Sequence, residues 1–232
     1  MRLLAGTSGF SYPEWRGSFY DEGLPPKRML AAYAAKLSTV EINNTFYRMP
    51  KASLLTGWAE QTPKTFSFAL KAPRRITHIG KLKDTEAAVA TLFELAAPMG
   101  EQLGPILFQL PPFLRKDVGL LSAFCASLPT GMRATLEFRH SSWFCDEVYA
   151  ALSVANVALC ACEVDPEEGT GAPFVRTAPF TYVRLRRALY DSASLSAVLA
   201  QIRGLEVERA FVYFKHEVLG PKYALELKAL AG

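Results

Sequence analysis

Eight short apolar runs alternate with helical segments along the whole chain, and this alternation constrains the fold more than any other feature. The runs are rich in Val, Ile, Leu and Phe, which is typical of strands buried on both faces. They lie at residues 3–7, 39–43, 66–71, 105–110, 133–138, 157–162, 181–186 and 210–215. Helices are predicted between them at residues 26–36, 52–61, 84–97, 117–127, 146–155, 192–203 and 221–230. This order predicts an α/β fold with a parallel sheet.

The segment after the sixth predicted strand departs from the alternation. Residues 165–179, DPEEGTGAPFVRTAP, are rich in Gly, Pro and Thr, so we expect a short sixth helix or a loop in its place. Eight strands and seven helices fit either a closed barrel or an open doubly wound sheet. The first strand leads into GTSGFSYPEWRGSFYDEGLPP, which contains neither GxGxxG nor a Walker-type lysine. The sequence therefore predicts one closed (β/α)8 barrel of the TIM type over residues 1–232.

Composition restricts the compartment and the partners. The 232 residues carry 26 Lys and Arg against 22 Asp and Glu, and the basic residues are scattered, which does not favour a nucleic-acid partner. The N-terminal MRLLAGTSGFSYPEW lacks the apolar core of a signal peptide, and no apolar stretch is long enough to span a membrane. The four cysteines show no CxxC spacing, so neither disulfides nor structural zinc is expected. We expect a cytoplasmic protein with no membrane partner.

Polar side chains gather where the predicted strands end, which is where TIM barrels carry their catalytic residues. Alternate positions of a strand share one face, so several residues should point into the barrel mouth. They are Glu41, Asn43, Lys71, Gln109, Glu137, Arg139, Arg184, Arg186, Tyr213 and Lys215. Buried charges are costly unless they are paired, so the set indicates either a structural ion-pair layer or a binding site. Two carboxylates among five cations favour a small anionic ligand that carries phosphate or carboxylate.

Roles can be assigned within this set and the adjoining loops. The candidate catalytic residues are Glu41, Lys71, Glu137 and His78. The candidate substrate-binding residues are Asn43, Tyr47, Gln109, Arg139, Arg184, Arg186, Tyr213 and Lys215. All three histidines, His78, His140 and His216, follow predicted strands at the same end of the barrel, which favours an acid–base role for at least one of them. Trp15 and Trp143 are expected to pack the loops, whereas Tyr12 could present a hydroxyl to the ligand.

Three other kinds of chemistry stay open. Glu41 and Glu137 could form the carboxylate pair of a glycosidase, although neighbouring cations lower carboxyl pKa values and a general acid needs a raised one. Lys71 or Lys215 could form a Schiff base if it is desolvated beside another cation. A metal could bind Glu41, Glu137 and His78, but no HxH or HExxH spacing supports this, and the sequence implies no cofactor.

Seven sequence blocks occur in an order that resembles a known family. They are GTSGFSYPEWRGSFY with the following LPP, VEINNTFYRMP, FALKAPRRITH, LGPILFQLPP, LEFRHSSWF and VYFKHE. Together they resemble the YecE/YunF-like family, known as domain of unknown function 72, over residues 6–230. The resemblance implies a TIM barrel and no particular reaction. Many relatives carry two asparagines after the last Tyr-Phe, where this chain has Lys215 and His216.

Three functions remain as hypotheses from the sequence. The first is an enzyme that acts on a small anionic substrate through Glu, Lys and His acid–base chemistry. The second is a barrel that binds or processes nucleic acid. The third is a ligand-binding protein without catalysis. The charge count at the strand ends favours the first hypothesis.

Overall fold

The computed structural model describes residues 1–165, 167 and 171–232, and in it eight parallel strands close into a barrel. The strands are β1 (Arg2–Ser8), β2 (Thr39–Ile42), β3 (Ser67–Lys71), β4 (Leu103–Gln109), β5 (Ala134–Glu137), β6 (Ala158–Glu163), β7 (Phe180–Leu185) and β8 (Arg209–Phe214). Each strand pairs with the next along the chain, and β8 pairs with β1. The predicted TIM-type barrel is therefore confirmed.

Helices follow every strand except β6 within the described residues. They are α1 (Met29–Ala34), α2 (Ala52–Glu60), α3 (Glu86–Ala96), α4 (Val118–Ala126), α5 (Asp146–Val154), α6 (Ser192–Gly204) and α7 (Gly220–Ala231). Acidic side chains fix two of the starts, because Asp117 accepts from the Leu120 amide before α4 and Asp191 accepts from the Ser194 amide before α6. In the described part of the chain, no helix has the length and hydropathy needed to cross a membrane.

The described residues of the connection from β6 to β7 form a loop in place of a helix. Of the loop predicted at 165–179, residues 166 and 168–170 lie outside the described residues, and the described remainder contains no α-helix. Ala172 forms an antiparallel bridge with Cys162 on β6. Farther along, the Thr177 hydroxyl donates to the Val157 carbonyl and accepts from the Leu159 amide, both at 2.8 Å. The loop thus satisfies backbone groups at the start of β6.

Alternate strand residues point into the barrel or outward to the helices. On β7, Tyr182 lies in the barrel interior, whereas Val183 and Leu185 belong to the core beneath the helices. Tyr182, Phe211 and Tyr213 fill the interior and are at most 1% exposed. Because side chains fill the barrel interior, a ligand cannot enter it, and the loops at the strand ends are where TIM barrels carry their binding sites.

Aromatic side chains hold the mouth loops against the barrel. Trp15 is fully buried, with its ring 4.7 Å from that of Tyr12, and its indole nitrogen donates to the Glu217 carbonyl in the loop after β8. Trp143 stacks on Phe138 at a centroid distance of 4.4 Å. The predicted packing roles of Trp15 and Trp143 are therefore confirmed, and the loops after β1, β5 and β8 are anchored.

Candidate functional site

Three charged side chains from three strands form a buried charge cluster at the mouth end of the barrel. Arg184 on β7 lies between Glu41 on β2 and Glu137 on β5. Its Nη1 donates to Oε2 of Glu137 at 2.7 Å and its Nη2 donates to Oε1 of Glu41 at 3.0 Å. Its Nε lies 2.9 Å from Oε2 of Glu41, an ion-pair contact without hydrogen-bond geometry. All three side chains are almost fully buried: Arg184 is 3% exposed, Glu41 0% and Glu137 1%. The structure therefore brings these three predicted site residues together, but their charged groups bind one another.

Glu41 has a complete set of donors around its carboxylate. Besides Arg184, it accepts hydrogen bonds from the hydroxyl of Ser8, the side-chain amide of Asn43 and the hydroxyl of Tyr182, each at 2.9 Å. Burial by itself would raise the pKa of Glu41. The guanidinium of Arg184 and the three hydrogen bonds outweigh it and hold that pKa below its ordinary value. Glu41 is therefore a fixed anion at neutral pH.

Gln109 connects the buried charge cluster to Lys71. The Gln109 side-chain nitrogen donates to Oε1 of Glu137 at 2.8 Å, and its oxygen accepts from Nζ of Lys71 at 2.9 Å. The Lys71 ammonium also lies 4.3 Å from the centre of the Phe46 ring. Burial, followed by the charge of Arg184, lowers the pKa of Lys71 to about 8, although Glu137 and Glu41 act in the opposite direction. Lys71 thus titrates close to physiological pH.

An open cleft of about 350 Å³ lies above this layer. Its lining consists of Ser8, Tyr12, Asn43, Phe46, Tyr47, Lys71, His78, Gln109, Arg139, Arg184, Arg186 and Lys215. Five of these residues are cations, and no carboxylate occurs among the described lining residues. Nine of the twelve candidate site residues line the cleft; the exceptions are Glu41, Glu137 and Tyr213. A negatively charged ligand is the natural complement to such a surface.

The cations of the cleft differ in exposure. Arg139 and Lys215 are exposed at the rim, whereas Arg186 is half-buried. Partial burial, followed by the charges of Arg186 and Arg184, lowers the pKa of Lys215. A second cleft of about 390 Å³ adjoins the first and shares Arg139 and Arg186 with it. These two arginines therefore stand between the two clefts and can reach a ligand from either side.

His78 is held by a structural element that the sequence pattern does not reveal. It lies on a five-residue π-helix, Arg75–Ile79, in the loop after β3, and its Nδ1 is 2.9 Å from the Thr77 hydroxyl. Its ring packs edge-on against Phe46 at 4.9 Å, on the ring that Lys71 also contacts. Burial and then the charge of Lys71 lower the pKa of His78 from its ordinary value. His78 is therefore neutral at pH 7 and able to accept a proton.

The other two histidines form backbone hydrogen bonds. Nδ1 of His140 accepts from the Ser142 amide at 3.1 Å and caps a short 3-10 helix, Ser141–Trp143. Nδ1 of His216 accepts from the amides of Val218 and Leu219 at 3.2 and 3.0 Å. Neither residue lines the cleft of about 350 Å³ that contains Lys71, although His140 lines the adjoining cleft of about 390 Å³. Both side chains thus shape the mouth loops.

The two tyrosines of the predicted substrate-binding set lie in different environments. Tyr47 is 76% exposed at the rim of the cleft. Tyr213 is fully buried, and its hydroxyl lies 2.8 Å from that of Thr39, two residues before Glu41 on β2. The structure therefore places Tyr213 one layer below the cleft. Alternation identified its face correctly but does not specify its depth in the barrel.

Three further residues belong to the site although the sequence did not assign them to it. Ser8 and Tyr182 bind Glu41, and Phe46 supports both Lys71 and His78. Ser8 ends β1, and Tyr182 precedes Arg184 by two residues, so strand alternation could have placed both on the inner face. No sequence signal distinguishes Phe46 from the other loop aromatics.

Cys160 and Cys162 are the two thiols of β6. Burial raises the pKa of Cys162 to about 11 and that of Cys160 well above its ordinary value, as befits core thiols. Within the described residues, no three His, Cys, Asp or Glu side chains come close enough together to hold a metal ion. His78, Glu41 and Glu137, which the sequence left open as metal ligands, do not form such a group.

The sequence of this barrel matches one known protein family along nearly its whole length. A family model described as "Protein of unknown function DUF72" matches residues 4–232. The chain belongs to this family. The match extends over nearly all of the chain and confirms the resemblance to YecE/YunF-like proteins that the seven blocks indicated.

Individual relatives agree with the fold. The UPF0759 protein YecE of Escherichia coli (strain K12) is 32% identical over 143 residues, which are 61% of this chain and 50% of YecE, so the match spans half the length of that relative. A DUF72 family protein from Thermotoga maritima superposes with a TM-score of 0.88 at 25% identity, over 100% of this chain and 99% of that one. A DUF72 family protein from Enterococcus faecalis superposes with a TM-score of 0.80 at 16% identity, over 98% of this chain and 94% of that one. At this level of identity the similarity shows the fold alone.

Proposed function

We propose that this DUF72 barrel is an enzyme that acts on a small substrate bearing a phosphate or carboxylate group. Arg139, Arg186 and Lys215 bind the anion, and Lys71 and His78 transfer protons. The observation that carries the proposal is the charge distribution of the cleft, in which five cations line the surface and the described lining contains no carboxylate. Charged donors in a partly enclosed cleft bind phosphate and carboxylate oxygens strongly.

The two buried carboxylates, Glu41 and Glu137, lie beneath the cleft and are suited to positioning its cations. Glu41 and Glu137 compensate Arg184, whose three nitrogens lie within 3.0 Å of their oxygens. Both carboxylates are almost fully buried, and the pKa of Glu41 is lowered, which does not suit a general acid. We therefore assign Glu41 and Glu137 a positioning role, in which they hold Arg184 and, through Gln109, Lys71.

Proton transfer is better suited to Lys71 and His78. Both side chains line the cleft and contact the Phe46 ring. The pKa of Lys71 is lowered to about 8, and that of His78 is lowered from its ordinary value. At neutral pH a mostly protonated lysine and a mostly neutral histidine therefore line the same cleft, which provides an acid and a base within one site. Such pairs whose pKa values are shifted by their surroundings are typical of catalytic sites.

A ligand panel tests the proposal. We expect inorganic phosphate, sugar phosphates and small dicarboxylates to raise the melting temperature at millimolar concentration, whereas the corresponding neutral sugars do not. Lys215→Met should weaken the best ligand by about tenfold, since one charge-assisted contact contributes roughly 1.4 kcal/mol. The matched control is Lys64→Met, which removes the same charge from an exposed site before β3, at the opposite end of the barrel.

Turnover is measured next on each ligand that stabilises the protein. Product formation that is lost in Lys71→Met, with binding retained, is the expected result. Stabilising ligands that all remain unconverted would contradict the enzymatic part and support a ligand-binding protein. A panel in which no anion stabilises the protein, or in which Lys64→Met weakens binding as much as Lys215→Met, would overturn the proposal.

A further inference from the structure

We propose that Lys71 is a nucleophile that forms an imine with the substrate, so that the substrate is a small carbonyl compound carrying a phosphate or carboxylate group. The inference rests on the proposed function, because anion binding by the neighbouring cations brings the carbonyl carbon to the amine. It narrows the substrate class from anions in general to keto or aldehyde acids and phosphates. It also gives the neutral fraction of Lys71 a covalent role and leaves proton transfer to His78.

The hydrogen bonding of Lys71 is unusual for a lysine deep in a charged site. Its Nζ donates to the neutral amide oxygen of Gln109 at 2.9 Å. In the part of the chain that the structure describes, Lys71 forms no ion pair with a carboxylate within 4.0 Å. The nearby carboxylates of Glu41 and Glu137 are bonded to Arg184 instead. A lysine whose partner is neutral loses its proton at a lower cost than one held by a carboxylate.

The groups facing Lys71 come from every neighbouring element. Burial, Arg184 on β7 and Lys215 after β8 disfavour the ammonium form, whereas Glu137 on β5 and Glu41 on β2 favour it. The outcome is a pKa of about 8. Roughly 20% of the amine is then neutral at pH 7.4, against about 0.1% for a lysine with a pKa near 10.4. Desolvation beside another cation is a known way to activate a lysine for Schiff-base formation.

The position of Lys71 also suits the reaction. The side chain extends from the end of β3 into the cleft and rests on the Phe46 ring, 4.3 Å away, so the amine is oriented before the substrate arrives. His78 packs on the same ring and is neutral at pH 7, which allows it to carry protons between the reacting nitrogen and oxygen. Arg186 and Lys215 line the same cleft and are suited to hold the anionic group.

The proposed step balances without any other reactant. The neutral Nζ of Lys71 attacks the carbonyl carbon, a C–N bond forms, and the carbonyl π electrons move to oxygen, which takes a proton to give a carbinolamine. The nitrogen then loses a proton to His78, and protonation of the hydroxyl group expels water as the C=N bond forms. Amine, carbonyl compound and one proton give a protonated imine and water.

Covalent trapping tests this inference on the intact protein. The probe is pyridoxal 5′-phosphate, an aldehyde with a phosphate group, added with sodium borohydride, and the labelled residue is found by peptide mass spectrometry. We expect one label on Lys71, formed at least tenfold faster than with neutral pyridoxal. Inorganic phosphate should compete with it. The labelling rate should rise with pH through about 8 and then level off, because only the neutral amine reacts.

Two conservative variants separate a nucleophile from a structural lysine. Lys71→Arg keeps the charge and the donor to Gln109, so it should retain the phosphate-induced rise in melting temperature and lose the label. The control is Lys64→Arg, which changes an exposed lysine before β3 at the opposite end of the barrel and should still be labelled at Lys71. Labelling of Lys215 or of scattered surface lysines, no label despite phosphate binding, or equal labelling by pyridoxal would overturn the inference and leave the proposed function standing. Absence of both label and phosphate binding would overturn both.

Discussion

At the scale of single residues, Arg184 determines the electrostatics of the barrel mouth. Its guanidinium is 3% exposed and lies between two carboxylates that supply nearly all of its partners. Burying these three charges is expensive, and the cost is offset only because each ion has close opposite charges and further hydrogen bonds. Removing Arg184 leaves both carboxylates buried without their shared cation.

Replacing Arg184 should therefore destabilise the protein. Arg184→Met should lower the free energy of unfolding by about 3–5 kcal/mol, because Glu41 and Glu137 lose their shared cation. Urea denaturation at pH 7 measures the change. The control is Arg187→Met, which removes an arginine whose side chain is 37% exposed and 3.8 Å from Glu163, and it should cost about 0–1 kcal/mol. Equal losses in the two variants would contradict a stabilising role for the buried charge cluster.

The identity of these residues was predictable, whereas their pairing was not. Position at a strand end, combined with the two-residue period, is enough to place Glu41, Glu137 and Arg184 on the inner face. That Arg184 bonds to both carboxylates depends on barrel closure, since the three strands are far apart in sequence. Tyr213 illustrates the same limit, because alternation gives a face but not the layer within the barrel.

At the scale of elements, long segments with clear periodicity were predicted correctly and short irregular ones were not. All eight strands and all seven α-helices occur where the alternation places them, because burial on both faces and amphipathic spacing are strong signals. The π-helix Arg75–Ile79 has no such signal, since one turn is too short to show a period. This element nevertheless carries His78 to the cleft.

The loop between β6 and β7 gives a second prediction. Thr177→Val keeps the shape of the side chain but leaves the buried Val157 carbonyl and Leu159 amide without their 2.8 Å partner. We expect a loss of about 1–3 kcal/mol in the free energy of unfolding, measured by urea denaturation. Thr177→Ser retains the hydroxyl and should lose clearly less. If the serine variant is as unstable as the valine variant, the hydroxyl is not what ties the loop to β6.

At the scale of the whole molecule, the packed barrel interior and the charged mouth are distinct regions. Its interior is packed with residues such as Tyr182, Phe211 and Tyr213, and the buried charged residues Glu41, Glu137 and Arg184 lie at the mouth end. The net charge is only +4, so the positive cleft is a local feature and not a basic surface of the kind that nucleic-acid binding requires. This distribution favours a small anion over a polyanion.

The most direct measurement is the position of an anion in the crystal. Crystals soaked in sodium tungstate should show an anomalous peak in the cleft, in contact with Arg186, Lys215 or Lys71. Inorganic phosphate in the soak should displace it, and Lys215→Met crystals should show it weakened. Tungstate bound only at other surfaces, with the cleft empty at a saturating concentration, would contradict an anion site at the barrel mouth.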